Sequence, residues 1–156
     1  MATRSAIGVE VENEIRAVYC HWDGYVDNNG QILQEHYDLD KTLKLIELGD
    51  LSSLGPEIGE KRPFDNPHKY GTKEFRAWDE EHRKFCNFYG RDRGESGTAY
   101  RTYQNADDFF NNFNSGEEYF YLLARDGHWY VRESRDTTVS WRRLDTVIAE
   151  LQTDEA

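Results

Sequence analysis

The segments Tyr119-Phe120-Tyr121-Leu122-Leu123 and His128-Trp129-Tyr130-Val131 flank the turn Arg125-Asp126-Gly127. Two aromatic and β-branched runs around an Asp-Gly pair close as an antiparallel hairpin, because glycine tolerates the positive φ of a tight reversal. A chain with such a hairpin contains a sheet. The remaining segments are therefore read as what pairs with that sheet and what covers it.

A second hairpin opens the chain. Ile7, Val9 and Val11 alternate onto one face of a strand over 5–11, Glu12-Asn13-Glu14 turns, and Ile15 to Asp23 returns beside it. Period two then puts Val18, Cys20 and Trp22 on an inner row and Tyr19, His21 and Asp23 on an outer one. Asn29 is expected to cap a helix over 30–37 that carries Ile32, Leu33, His36 and Tyr37 on one side. Asp38 or Asp40 caps a second helix, with Leu39, Leu43 and Ile46 at helical spacing and Gly49 at the C-terminal cap. Residues 50–56 read as a capped turn and a break, 59–74 as a long surface loop rich in Pro and Gly, and 74–83 as a turn or two of helix without an apolar stripe. Phe85 to Tyr89 reads as a strand, and residues 91–97 as a charged loop. Asn105 caps a short helix with Asp107 and Asp108 in its first turn, and a final helix after Ser140 carries Leu144, Val147, Ile148 and Leu151. The order β-β-α-α-β-α-β-β-α predicts a single α+β domain over 1–152, a mainly antiparallel sheet of about five strands covered by helices, and a frayed tail at 153–156.

Composition narrows the functional classes. At 156 residues with 14% aromatic side chains, the chain can bury a core despite a mean hydropathy of −0.92. Cys20 and Cys86 lie far apart and outside any CxxC spacing, which speaks against a zinc knuckle or a disulfide scaffold. No apolar run approaches the length of a membrane span, and no leader segment is evident, so a cytosolic protein without a membrane partner is expected. The net charge of −11 is uneven: residues 1–60 hold 12 acids against 4 bases, whereas 61–104 hold 7 against 10. Such a chain repels phosphate backbones, so direct nucleic-acid binding is disfavoured, and a partner protein with a basic surface is favoured. Solubility alone would also explain the acidity.

Two constellations carry chemistry. His21 and Asp23, with His36 if the next helix folds back, are of the types that share a metal or orient an imidazole. Capping and backbone hydrogen bonds account for the same residues, so no metal and no cofactor are assigned. Arg91 and Arg93, beside Gly94 in the net-positive stretch, suit a phosphate or carboxylate, and Arg4 and Ser5 join them if the strand ends meet. A solvated, salt-bridged loop is the alternative. Tyr25 completes the candidate ligand set. No Gly-rich phosphate loop, GxSxG or HExxH is present, and no catalytic residue is assigned.

The segments Arg4-Ser5-Ala6-Ile7-Gly8, Ala17-Val18-Tyr19-Cys20-His21-Trp22-Asp23-Gly24-Tyr25 and Gly49-Asp50-Leu51-Ser52-Ser53-Leu54-Gly55 resemble the N-terminal pattern of a family of small phage-borne proteins. The resemblance covers about the first 55 residues, thins to Tyr89–Glu95, and departs at Val26-Asp27-Asn28-Asn29, where Pro- and Gly-rich loops are common. It implies a phage gene expressed in the cytoplasm of an infected bacterium, and it carries no catalytic role. The expectation is an acidic accessory protein that inhibits a host defence or nucleic-acid-processing complex, in the manner of a nucleic-acid mimic. Its interface would include Glu10, Glu12, Glu14, Asp27, Asp107 and Asp108. The alternative is a nucleotide- or phosphate-binding pocket, sponge or hydrolase, built on His21, Asp23, Arg91 and Arg93.

Overall fold

The computed structural model describes residues 2–114, 116–135 and 140–154. In chain order the elements are β1 (Ser5–Val11), β2 (Glu14–Cys20), α1 (Gln31–His36), α2 (Leu39–Glu47), β3 (Leu51–Ser53), α3 (Lys73–His82), β4 (Asn87–Phe88), α4 (Tyr89–Arg93), β5 (Arg101–Tyr103), α5 (Ala106–Asn112), β6 (Tyr119–Leu123), β7 (Trp129–Glu133), β8 (Arg142–Arg143) and α6 (Leu144–Asp154). One sheet of eight strands runs β4-β3-β2-β1-β6-β7-β8, and β5 adds to β2 beside β3. Both expected hairpins form, with Ile7 opposite Val18 in the first and Tyr121 opposite Val131 in the second. They meet through a parallel pairing of β1 with β6, and β2 with β3 is also parallel, so the sheet is mixed. The domain is α+β and single, but the sheet exceeds the five strands expected.

The additional strands are β3, β5 and β8, each two or three residues long. Segments of that length show no period of two, and pairing to a long neighbour decides their state. The turn expected at 50–56 is thus partly a strand, and the loop expected at 91–97 begins as the short helix α4, ended by Gly94 at φ 76°. The turn or two of helix expected at 74–83 is a ten-residue helix, α3, whose N-cap is Thr72. The tail expected to fray at 153–156 lies partly outside the described residues; Thr153 still bonds back to Ala149 within α6.

The sheet buries both faces, which is why a chain of low hydropathy still folds. On one face Ile7, Val9, Val18, Cys20, Tyr121, Leu123, Trp129 and Val131 pack beneath Leu33, Leu45, Ile46 and Leu144 from α1, α2 and α6. On the other, Ala6, Ile15, Ala17, Phe120 and Leu122 receive Phe109 from α5 and Phe113 just after it. Asn105 caps α5 as expected, its side chain accepting from the Asp108 amide at 2.8 Å. Phe109 lies over Gly8, where a Cβ would stand 3.0 Å from its ring, so the missing side chain lets the helix seat on β1.

Residues 57–95 are fastened differently. No residue of α3 is buried. Instead Arg62 stacks on Phe85 at 4.2 Å, Arg93 on Phe64 at 4.4 Å, and Arg91 on Phe88 at 4.6 Å. Asp92, with no exposed side-chain surface, accepts from the Phe88 amide at 2.8 Å and the Arg62 amide at 3.0 Å.

Candidate functional site: an acid-rimmed groove

The chemically dense corner at 20–30 is assembled as a lock. β2 ends at Cys20, and the chain leaves the sheet through Asp23 at φ 57° into a π-turn over Val26–Gly30. Asn29, fully buried inside that turn, donates to the Trp22 carbonyl at 3.1 Å and to Ser5 Oγ at 3.3 Å. It therefore caps no helix, contrary to the sequence expectation, and Ser5 is a buried partner rather than a ligand residue. Tyr121 reaches the same loop, its hydroxyl donating to the Gly24 carbonyl at 2.6 Å. Gly24 abuts β1 so closely that a Cβ would stand 2.8 Å from the Thr3 carbonyl oxygen. Tyr25 Oη reaches Asp23 at 3.3 Å, and the Tyr19 hydroxyl lies 2.6 Å from His21 Nδ1. Burial first, then the guanidinium of Arg4, lowers the His21 pKa. Cys20 is inert: burial pushes its thiol up to about 12. Trp22, expected inside, is 44% exposed, because the strand has already ended and its ring packs edge-on to His21.

Several residues of the sequence-derived ligand set are engaged within the fold. Arg91 donates to the carbonyls of Cys86, Ile58 and Gly59 and twice to Asp92, so it ties residues 58 and 59 to the chain entering β4 and its donors are taken. Arg93 pairs with Glu95 and stacks on Tyr89 and Phe64. His36 stands exposed at the end of α1, 3.9 Å from Glu35. Arg4 is exposed, its carbonyl accepting from the Glu118 amide and its guanidinium lying over Gly116. Among the described residues, no group of three His, Cys, Asp or Glu side chains is placed to hold a metal ion. Asp50, in the segment expected to be a capped turn, accepts from the Tyr19 amide and takes Arg101 bidentately at 3.1 and 3.2 Å. Burial nevertheless raises its pKa, outweighing both partners.

The opposite end of the first hairpin is open. There a groove of about 670 Å³ runs between the β1–β2 turn, the start of α2 and the β6–β7 turn. Three apolar rows end in it. The Ile7–Val9 row of β1 finishes at half-buried Val11, the Tyr121 row of β6 finishes at Leu123, and the stripe of α2 passes from buried Ile46 through half-buried Leu43 to Leu39, 50% exposed. Tyr37 floors the groove and is fixed there: its hydroxyl donates to the Gly55 carbonyl at 2.8 Å and its own carbonyl accepts from Trp129 Nε1 at 3.0 Å. Carboxylates outnumber guanidiniums at the rim. Glu10, Glu12 and Asp38 line it with Arg125 and Arg16, and Arg16 is matched by Glu14 at 2.9 Å.

The expected interface acids therefore divide. Glu10, Glu12 and Glu14 gather at the turn end, and Glu14 and Asp108 share a shallow neighbouring cleft. Several have internal duties: Glu10 accepts from the Arg125 amide at 2.8 Å, and Asp108 from the Gln104 amide at 2.8 Å. Asp107 is exposed in the first turn of α5. Asp27 lies apart, against Tyr25 and Tyr119. Sequence reasoning misses Leu39 and Val11 as groove residues, because it assigns both to the core face. The available signal is that α2 begins with its stripe residue directly after the Asp38 cap, one turn before a neighbour covers it.

The class these observations define is a mixed-sheet α+β domain with an amphipathic groove. No protein-family model matches the chain, and neither a curated protein nor a solved structure is similar to it. No helix of the described residues is long and apolar enough to cross a membrane.

Proposed function

We propose that this chain is an acidic binding protein, of phage origin, that docks through the groove onto a basic amphipathic segment of a host defence or nucleic-acid-processing complex and inhibits it in the bacterial cytoplasm. The observation that carries the reading is the coincidence, in one groove, of two apolar rows left unfinished at Val11 and Leu39 with a carboxylate rim on a chain of net charge −11. Apolar side chains of the partner would complete the rows at Val11, Leu39 and Leu43, and its lysines or arginines would meet Glu10, Glu12 and Asp38. The rim acids speed and orient the encounter more than they tighten it. Mimicry of a phosphate chain by carboxylates alone draws less support, since Glu10, Glu14 and Asp108 are partly occupied within the fold. The nucleotide-pocket reading draws none from Arg91, whose donors are taken.

The test uses a labelled amphipathic peptide of alternating leucine and lysine spacing, with a leucine–glutamate peptide as its acidic counterpart. Anisotropy should show saturable binding of the basic peptide that weakens steeply as salt rises. Leu39→Asp with Val11→Asp should reduce that binding by about tenfold or more, the scale expected for losing two buried apolar contacts. Added to a host extract, the native chain should depress nuclease or DNA-processing activity, and the double variant should not. Equal binding of both peptides, or inhibition unaffected by the double variant, contradicts the proposal.

A further inference from the structure

A second cleft, of about 250 Å³, lies on the far side of the sheet's centre from the groove, between the π-turn, β6, β7 and α6. Its floor is apolar, formed by Val131 of β7 and Val147 of α6. Its upper wall holds the rings of Tyr25 and Tyr119, with the carboxylates of Asp27 and Glu133 beside them. Tyr119 and Glu133 face each other across the β6–β7 register, which sets their side chains on the same side of the sheet. Among the described residues neither Asp27 nor Glu133 is held in an ion pair; of the two guanidiniums in the lining, Arg142 is paired with Glu150 and Arg132 lies over the Phe110 ring at 3.7 Å. An adjoining small hollow brings Glu118 and Arg135 next to Glu133. The negative field is felt inside the cleft: the Tyr119 phenol is pushed up by burial first, and then by Glu133, Glu118 and Asp27.

The wall is rigid where it matters. Tyr25 and Asp27 sit at the entrance to and within the π-turn, a conformation often associated with binding sites. Asn29 anchors that turn to β1 and β2, so the two side chains project from a fixed backbone. A cavity with an apolar floor, aromatic faces, two carboxylates outside ion pairs and two arginines engaged with Glu150 and Phe110 favours a positive charge. Its volume lies just below the usual range for drug-sized ligands, so the occupant is small.

We propose that this cleft binds a small organic cation, a protonated primary amine on an apolar body of phenethyl or short alkyl size. The ammonium group sits between Asp27 and Glu133 against the tyrosine rings, and the apolar body rests on Val131 and Val147. The site is separate from the partner groove, and neither depends on the other.

Phenethylamine is the probe, with phenethyl alcohol as the neutral isostere and hydrocinnamate as the anionic one. In NMR and calorimetric titrations of the full chain, the amine should saturate one site and shift the resonances of Tyr25, Tyr119, Val131 and Val147. It should bind about tenfold or more tightly than the alcohol, as a charge-assisted contact requires. Asp27→Asn with Glu133→Gln should erase that preference while the melting temperature holds. Val147→Trp, which fills the floor without touching charge, should abolish binding independently. The proposal is overturned if the alcohol or hydrocinnamate binds as well as the amine. It is equally overturned if the amine's shifts spread over the acidic surface without saturating, or if its preference survives the double substitution.

Discussion

The two ends of the first hairpin are built from the same pair of strands and have opposite characters. At one end Asn29, Ser5, Tyr121 and Gly24 close a corner in which buried polar groups answer each other. At the other, Val11, Leu39 and Leu43 run out from under their cover into a groove. The corner holds the side chains whose chemistry stands out in the sequence, and the fold uses several of them to hold a loop. The groove end has the sequence pattern of ordinary core, and the fold leaves it unfinished. Residue chemistry alone does not locate an open surface; the place where burial stops short of the apolar pattern does.

The contrast is most easily broken at the locked corner. Asn29→Leu keeps the volume but removes the donors to Trp22 and Ser5, and is expected to cost about 2–3 kcal/mol in urea unfolding, the range for orphaning buried polar groups. Tyr121→Phe leaves the Gly24 carbonyl without its partner and should cost about 1–2 kcal/mol. Leu39→Asp, at the open end, should change stability by less than about 0.5 kcal/mol, because the site is half in water. A large loss at Leu39 combined with a small one at Asn29 would reverse the assignment of the two ends.

The smallest expected effect is a pH dependence at His21. Its folded pKa is lowered, so the unfolded chain binds the proton more readily. The stability it contributes is present above the unfolded imidazole pKa and is lost as pH falls from there through the folded value. Unfolding of His21→Gln between neutral and mildly acidic pH should show a shallower decline than that of the native chain. An unchanged slope would mean that the burial of the His21 ring near Arg4 is not linked to folding.

Long periodic elements are legible in the sequence, and short ones are not. Both hairpins, the Asp38 and Asn105 caps and the Gly49 terminus follow from local pattern, because each is decided by residues within a few positions. The strands β3, β5 and β8 are decided by a partner elsewhere in the chain. The arginines at 91 and 93 resemble anion ligands in the sequence because their carbonyl and aromatic partners at 58, 59 and 64 lie some thirty residues upstream. Asn29 resembles a helix cap for the same reason: nothing local announces that Ser5 lies beside it. The groove is half legible, in that its acids follow from charge while its apolar residues have the spacing of core.

The central claim is that the turn end of the first hairpin, and not the corner at 21–25, is the binding surface. Amide and methyl NMR spectra of the native chain, titrated with the basic leucine–lysine peptide, test it directly. The account predicts saturable shifts at Val11, Leu39, Leu43 and Leu123, with His21 to Tyr25 unmoved. Shifts centred on His21 to Tyr25 or on Arg91 to Arg93, with Leu39 silent, would contradict it.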